Sequence, residues 1–187
     1  GTFVQDDSLQ GKDLTYTYHS FDEIWLPFNY EYLVIVTPDK KNTVERILGE
    51  ELDERKAWEN AKARITSEII KDNSNWHLTF ALSRIYYYLN EYKASVNEFN
   101  KVENLISFRT LWYQIEPILS MYESGDYDRV LKITENILNN QNKAFSELYV
   151  LRGDIYNKRG QMGLAQEEYR KALFYNKNLE EAKIRNS

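Results

Sequence analysis

The sequence predicts a mainly α chain built from repeated helix pairs, preceded by a short β segment. Three observations carry that reading. Glycine (7) and proline (3) are scarce among 187 residues, while 15 tyrosines, 8 phenylalanines and 4 tryptophans supply large apolar faces, a profile that suits packed helices better than a turn-rich sandwich. From Thr43 onward apolar residues recur at helical spacing. And three stretches repeat one another with a constant offset of 35 residues, the signature of a stacked array.

Residues 1 to about 40 read as extended pieces around one small helix. Phe3–Gln5, Thr15–Tyr18 and Tyr32–Val36 are β-branched or aromatic runs. The last is apolar on both faces, so a strand there has to be covered by the repeats or by another chain. Ser20 followed by Glu23 reads as a capping box opening a helix over Phe21–Trp25, which Pro27 ends. Farther on, Thr43 caps Val44–Leu48 and Gly49 stops it. Asp53 caps a longer helix reaching about Lys71, with Ala57, Ala61, Ile65 and Ile69 on one face, and Asp72-Asn73-Ser74 breaks it. Leu179–Arg185 reads as a charged closing helix.

Between these lie the repeats. Aligning 83–103, 118–138 and 152–173 brings the turn residues Asn90, Gly125 and Gly160 into register. Tyr86, Met121 and Tyr156 follow in the first helix, and Ser95, Val130 and Ala165 in the second. Phe99, Thr134 and Tyr169 form the next rung, then Val102, Ile137 and Ala172. Small and large residues at these spacings let two antiparallel helices approach closely. Gly153 is placed where the helices of its pair come closest. Pro117 falls inside an expected helix and predicts a kink.

The pattern resembles the tetratricopeptide repeat, whose signature positions Gly153, Tyr156, Gly160, Ala165, Tyr169 and Ala172 match. The resemblance is closest over 146–179, next over 76–110 and weakest over 111–145. It implies a right-handed superhelix of three to four helix pairs over residues 41–187, with a β remnant over 1–40. It also implies that first-helix residues line a peptide-binding groove: His77, Phe80, Arg84 and Tyr87, then Trp112, Ile115, Leu119 and Tyr122, then Glu147, Val150, Asp154 and Asn157. Such a groove runs from aromatic and apolar to acidic, with Arg84 able to hold a carboxylate. The family's chaperone-binding carboxylate clamp is missing, since Phe80, Glu116, Glu147 and Leu151 occupy its positions. The competing reading covers these aromatics with Trp25 or Tyr32–Val36.

A second resemblance joins "FVQDDSLQG", "SFDEIW", "FNYEYLVIVTPDKKNTVERIL" and the repeat segment "LWYQIEP". This order is similar to the C-terminal part of bacterial proteins with a papain-like peptidase domain of the bacteriocin-processing type, followed by tetratricopeptide repeats. It places Asp7 at the position of the catalytic aspartate and makes residues 1–40 the end of the peptidase domain. It implies a bacterial, extracytoplasmic setting. The opening Gly1 suits a trimmed or processed chain.

The chemistry such a peptidase needs is not complete here. There is no cysteine, and His19 follows the aspartate where the family's histidine precedes it, so no catalytic residue beyond the remnant Asp7 is expected. Asp6, Asp7 and Asp13 fit no calcium loop, the two histidines lie far apart, and no glycine-rich phosphate loop occurs. Neither metal nor cofactor is therefore expected. The net charge of −5 argues against nucleic acid, and no apolar run is long enough to span a bilayer. The expected function is binding of a protein or peptide. The alternatives are one part of an active cysteine peptidase whose cysteine and histidine lie upstream, or a module that self-associates into a homo-oligomer through residues 1–40.

Overall fold

The computed structural model describes residues 1–7, 10–32, 34–107, 109–112 and 114–186. They form two compact units, Gly1–Val102 and Glu103–Ser187.

The first unit opens with an antiparallel hairpin, β1 (Thr2–Asp7) and β2 (Gly11–Thr17), paired from Thr2↔Thr17 to Gln5↔Leu14 with an irregularity before Asp7↔Gly11. Helix α1 (Tyr18–Trp25) follows. Its cap is Thr17, whose hydroxyl accepts from the Ser20 N–H at 3.0 Å, and not the expected Ser20; the strand runs so far that the chain turns helical three residues early. Pro27 sits at the start of a 3-10 turn, Leu26–Phe28, where its missing N–H costs nothing.

The strand expected over Tyr32–Val36 is not found among the described residues. Tyr32 and Val34–Val36 carry no regular structure, and Ile35 is 88% exposed; Leu33 lies outside the described residues. The physical reason is the sheet, which stops at two strands and offers this run no ladder to join.

Helix α2 (Lys41–Leu48) begins two residues before Thr43 and ends at Gly49, whose φ of +54° is costly for any side chain. Helix α3 (Glu54–Lys71) is capped by Asp53, which accepts from the Lys56 N–H at 3.0 Å. Asp72 then stops it by accepting from both the backbone and hydroxyl of Ser74. Helices α4 (Trp76–Tyr88) and α5 (Tyr92–Val102) form the first repeat pair. Ile65 of α3 packs into a core with Leu78, Ala81, Leu82, Ile85 and Leu89, flanked by Ala61 and Ile69, so the expected face of α3 is the buried one.

The second unit holds α6 (Glu116–Glu123), α7 (Tyr127–Asn140), α8 (Ser146–Lys158), α9 (Met162–Tyr175) and α10 (Glu180–Asn186). The expected rungs are real. Ser95, Val130 and Ala165, then Phe99, Thr134 and Tyr169, then Val102, Ile137 and Ala172 are all buried. The turn residues Asn90, Gly125 and Gly160 share a left-handed backbone, with φ of 62°, 81° and 72°, the conformation that closes a helix at its C-terminus. Gly153 has no room for a side chain: a Cβ there would lie 2.3 Å from the Tyr169 ring.

Pro117 does not kink a helix. It lies in the first turn of α6, where no intrahelical bond is lost. A proline cannot sit in a helix interior cheaply, so the helix starts at Glu116, well into the first-helix segment of its repeat.

Candidate functional site

On α4, the Asn75 side chain caps the helix by accepting from the His77 N–H at 3.2 Å. His77 stacks on Trp76 at 3.6 Å and is half-buried; burial holds its pKa below the ordinary imidazole value. Tyr87 is half-buried and packs edge-on against Tyr88. Between them Phe80 is 1% exposed, with its ring 6.4 Å from that of Phe99 on α5. Arg84 is buried and makes an ion pair with Glu31 at 2.7 Å. Thus Phe80 and Arg84 do not stand open on the first-helix surface as expected. Helix α4 lies between α3 and α5, and a helix flanked on two sides has little free face. The carboxylate expected for Arg84 comes from the N-terminal segment of the same unit.

In the second unit Leu119 and Tyr122 lie on α6 and are half-buried. Trp112 and Ile115 precede the helix, Trp112 in a 3-10 turn and Ile115 at the cap position. The expected run of four on one helix face is therefore broken by the late start at Glu116. Trp112 Nε1 is buried without a hydrogen-bond partner among the described residues. Lys158 Nζ lies 4.4 Å from the centre of the Tyr122 ring. Of the acidic end, Glu147 is exposed, but Asp154 is engaged: it accepts from the Tyr169 hydroxyl at 2.9 Å and from Arg185 Nε at 2.6 Å.

Asp7 closes β1 through its backbone, while its side chain, like Ser8, lies outside the described residues. Among the described residues no group of His, Asp and Glu is arranged to hold a metal ion. No helix among them is long and apolar enough to cross a membrane.

The first unit also carries a feature the sequence did not announce, a groove of about 820 Å³ between residues 29–32, 34 and 36 and helices α2 and α3. One wall is built on a constrained bend. Asn29 and Tyr30 both have left-handed backbones, φ 53° and 56°, an arrangement non-glycine residues adopt at a cost. Surrounding groups hold it. Arg64 of α3 donates to Asn29 Oδ1 at 2.9 Å and lies 4.7 Å from the Tyr30 ring centre. Trp25 Nε1 donates to the Glu31 carbonyl at 2.8 Å. Beyond the bend, Tyr32, Val34 and Val36 face the groove. The only hint in the sequence was the apolar run itself.

With the geometry in place, the class of structure is clear: the chain contains a tetratricopeptide-repeat region built from helix pairs. Residues 146–179 match the tetratricopeptide repeat family. Among solved structures the fold is similar to the crystal structure of MamA, with a TM-score of 0.61, 14% identity and 82% of each chain covered; at that identity the likeness speaks for the fold. No curated protein matches the chain in sequence.

Proposed function

We propose that this chain is a protein- or peptide-binding module without catalysis of its own. The observation that supports this most is the pair α8–α9. Its signature glycine and aromatic interlock as the repeat requires, and stacked pairs of this kind serve as recognition surfaces. The proposed contact residues are the half-buried side chains of the first helices. In the first unit these are His77 and Tyr87, supported from beneath by Phe80 and Arg84. In the second they are Leu119 and Tyr122 on α6, with Trp112 and Ile115 in the segment leading to it. Aromatic rings there supply contact area at low entropy cost.

The test is capture of peptides from an array by the wild-type chain and by Tyr87→Ala and Tyr122→Ala. A loss of about tenfold or more in affinity, with unchanged melting, supports the assignment. Binding unchanged in both variants refutes it.

The papain-like parentage is a separate proposal resting on the order of segments in residues 1–40, where a hairpin, a short helix and an apolar run succeed one another. On this reading Asp7 is a remnant, and the purified chain hydrolyses no peptide. Turnover by the chain alone refutes the non-catalytic reading.

A further inference from the structure

We infer that the groove between residues 29–32, 34 and 36 and helices α2 and α3 binds an extended peptide that alternates apolar residues with at least one lysine or arginine. This site is separate from the first-helix faces proposed above.

Shape and polarity come first. Val44 and Leu48 of α2, Leu52 of the following turn and Trp58 of α3 line the groove opposite Val34 and Val36. These are apolar surfaces facing one another with none of the described residues between them. Val34, Ile35 and Val36 are 44%, 88% and 40% exposed, unusual for three consecutive β-branched residues on a soluble surface.

The backbone of the same segment argues for an extended occupant. Among the described residues, the N–H and C=O groups of Tyr32, Val34, Ile35 and Val36 take part in no hydrogen bond. An exposed, β-prone run with open backbone groups is a template for an added strand. An incoming strand also presents alternate side chains to one side, which matches a groove lined along one edge.

Charge selects the chemistry. Most ionic groups around the groove are already compensated within the unit. Glu31 pairs with Arg84, Lys41 with Glu45 and Arg64 with Glu68. Glu51 and Glu54 remain, both exposed. Glu51 accepts only from the neutral Asn60 amide, at 2.7 Å, and Glu54 has no ion pair among the described residues. Two uncompensated carboxylates beside an apolar floor favour a ligand with a cation next to its apolar anchors, and disfavour an acidic one.

The probe is a labelled hexapeptide in which valine alternates with lysine, beside versions carrying threonine or glutamate in place of lysine. Anisotropy titrations use the full chain. The lysine peptide is expected to bind at least about tenfold tighter than the glutamate peptide, and Glu51→Gln with Glu54→Gln to reduce that preference to about threefold or less. A lysine peptide methylated on alternate backbone nitrogens loses about tenfold or more, because it cannot pair as a strand. Both glutamates are exposed, so the double variant keeps its fold, as its melting curve will show. No binding of the lysine peptide, or a preference untouched by the double variant, overturns the inference. So does binding that Tyr87→Ala or Tyr122→Ala abolishes and the glutamate variant leaves intact, although that result supports the first-helix faces. Light scattering provides the remaining check: a dimer dissociated by Ile35→Lys identifies a second copy as the occupant and overturns the peptide assignment.

Discussion

In α8–α9 the absence of a side chain at Gly153 leaves its space to the Tyr169 ring. At the same two places of the 35-residue frame, α6–α7 carries Ile118 and Thr134, and α4–α5 carries Ser83 and Phe99, all buried. Where the first helix is small the second is large, and the reverse. The comparison teaches that the repeat conserves the combined volume across the helix pair more than the identity of either residue, as close-packed interiors require. A second contrast lies beside it. Arg152 and Glu168 form an ion pair at 2.9 Å, with side chains 12% and 7% exposed; the corresponding places in α6–α7 hold Pro117 and Ile133. At these places one pair carries opposite charges and the other apolar side chains.

The largest expected effect tests the volume rule. Gly153→Ile alone should destabilise by about 3 kcal/mol or more through overpacking. Adding Tyr169→Thr, the combination found in α6–α7, should return more than about half of that loss in thermal melts. A double variant no better than the single one breaks the comparison. Next, Arg152→Met leaves Glu168 buried with only Lys171 Nζ at 3.0 Å beside it and should cost about 3 kcal/mol. The exposed Arg55–Glu59 pair is the control: Arg55→Ala should cost under about 0.5 kcal/mol.

Smaller effects sharpen the picture at the turns. Gly160→Ala and Asn90→Ala each force alanine into a left-handed backbone and should cost about 1 kcal/mol, whereas Asn90→Gly should be neutral or stabilising. Equal melts for the alanine and glycine variants at Asn90 would show that the turn tolerates another backbone. The smallest effect is acid sensitivity at His77. Because burial lowers its folded-state pKa, the unfolded chain takes up this proton first as the pH falls. The contribution to stability is therefore full above the unfolded value of about 6.5 and declines as pH drops through it. Comparing the melting temperatures of wild type and His77→Gln at about pH 7.5 and pH 5.5 checks the sign: the histidine form should lose more on acidification.

How far the sequence spoke depended on the range of the interaction. Asn90, Gly125, Gly160 and the buried rungs were legible because their spacing is imposed by one helix pair at a time. Pro117 was misread as a kink inside a helix because its neighbours on both sides read as helical, and only packing decides whether a proline kinks a helix or begins one. Tyr32–Val36 has strand composition, yet its described residues pair with no strand, a fact about the hairpin and not about the run. The candidate face was half legible. Helical spacing tells which residues share a side, yet Phe80 is buried among the adjoining helices, with its ring near Phe99 of α5, and Arg84 pairs with Glu31, a residue far away in sequence. The groove was hidden for the same reason, since its walls come from separated stretches of chain.

Arg152 reaches farther than its own pair. Its Nε donates to Glu168 on α9, while one terminal nitrogen donates to the Leu131 carbonyl at 2.9 Å and to Thr134 Oγ1 at 3.2 Å, both on α7. Stacked repeats can in principle fray one at a time, since each touches only its neighbours. Here a single side chain is shared by three consecutive helices, so α9 cannot detach without taking the Glu168 carboxylate away from Arg152, which stays bonded to α7. Slow amide exchange in α7, α8 and α9 should accordingly be lost together, as one cooperative block, and Arg152→Met should split that block into separately opening parts.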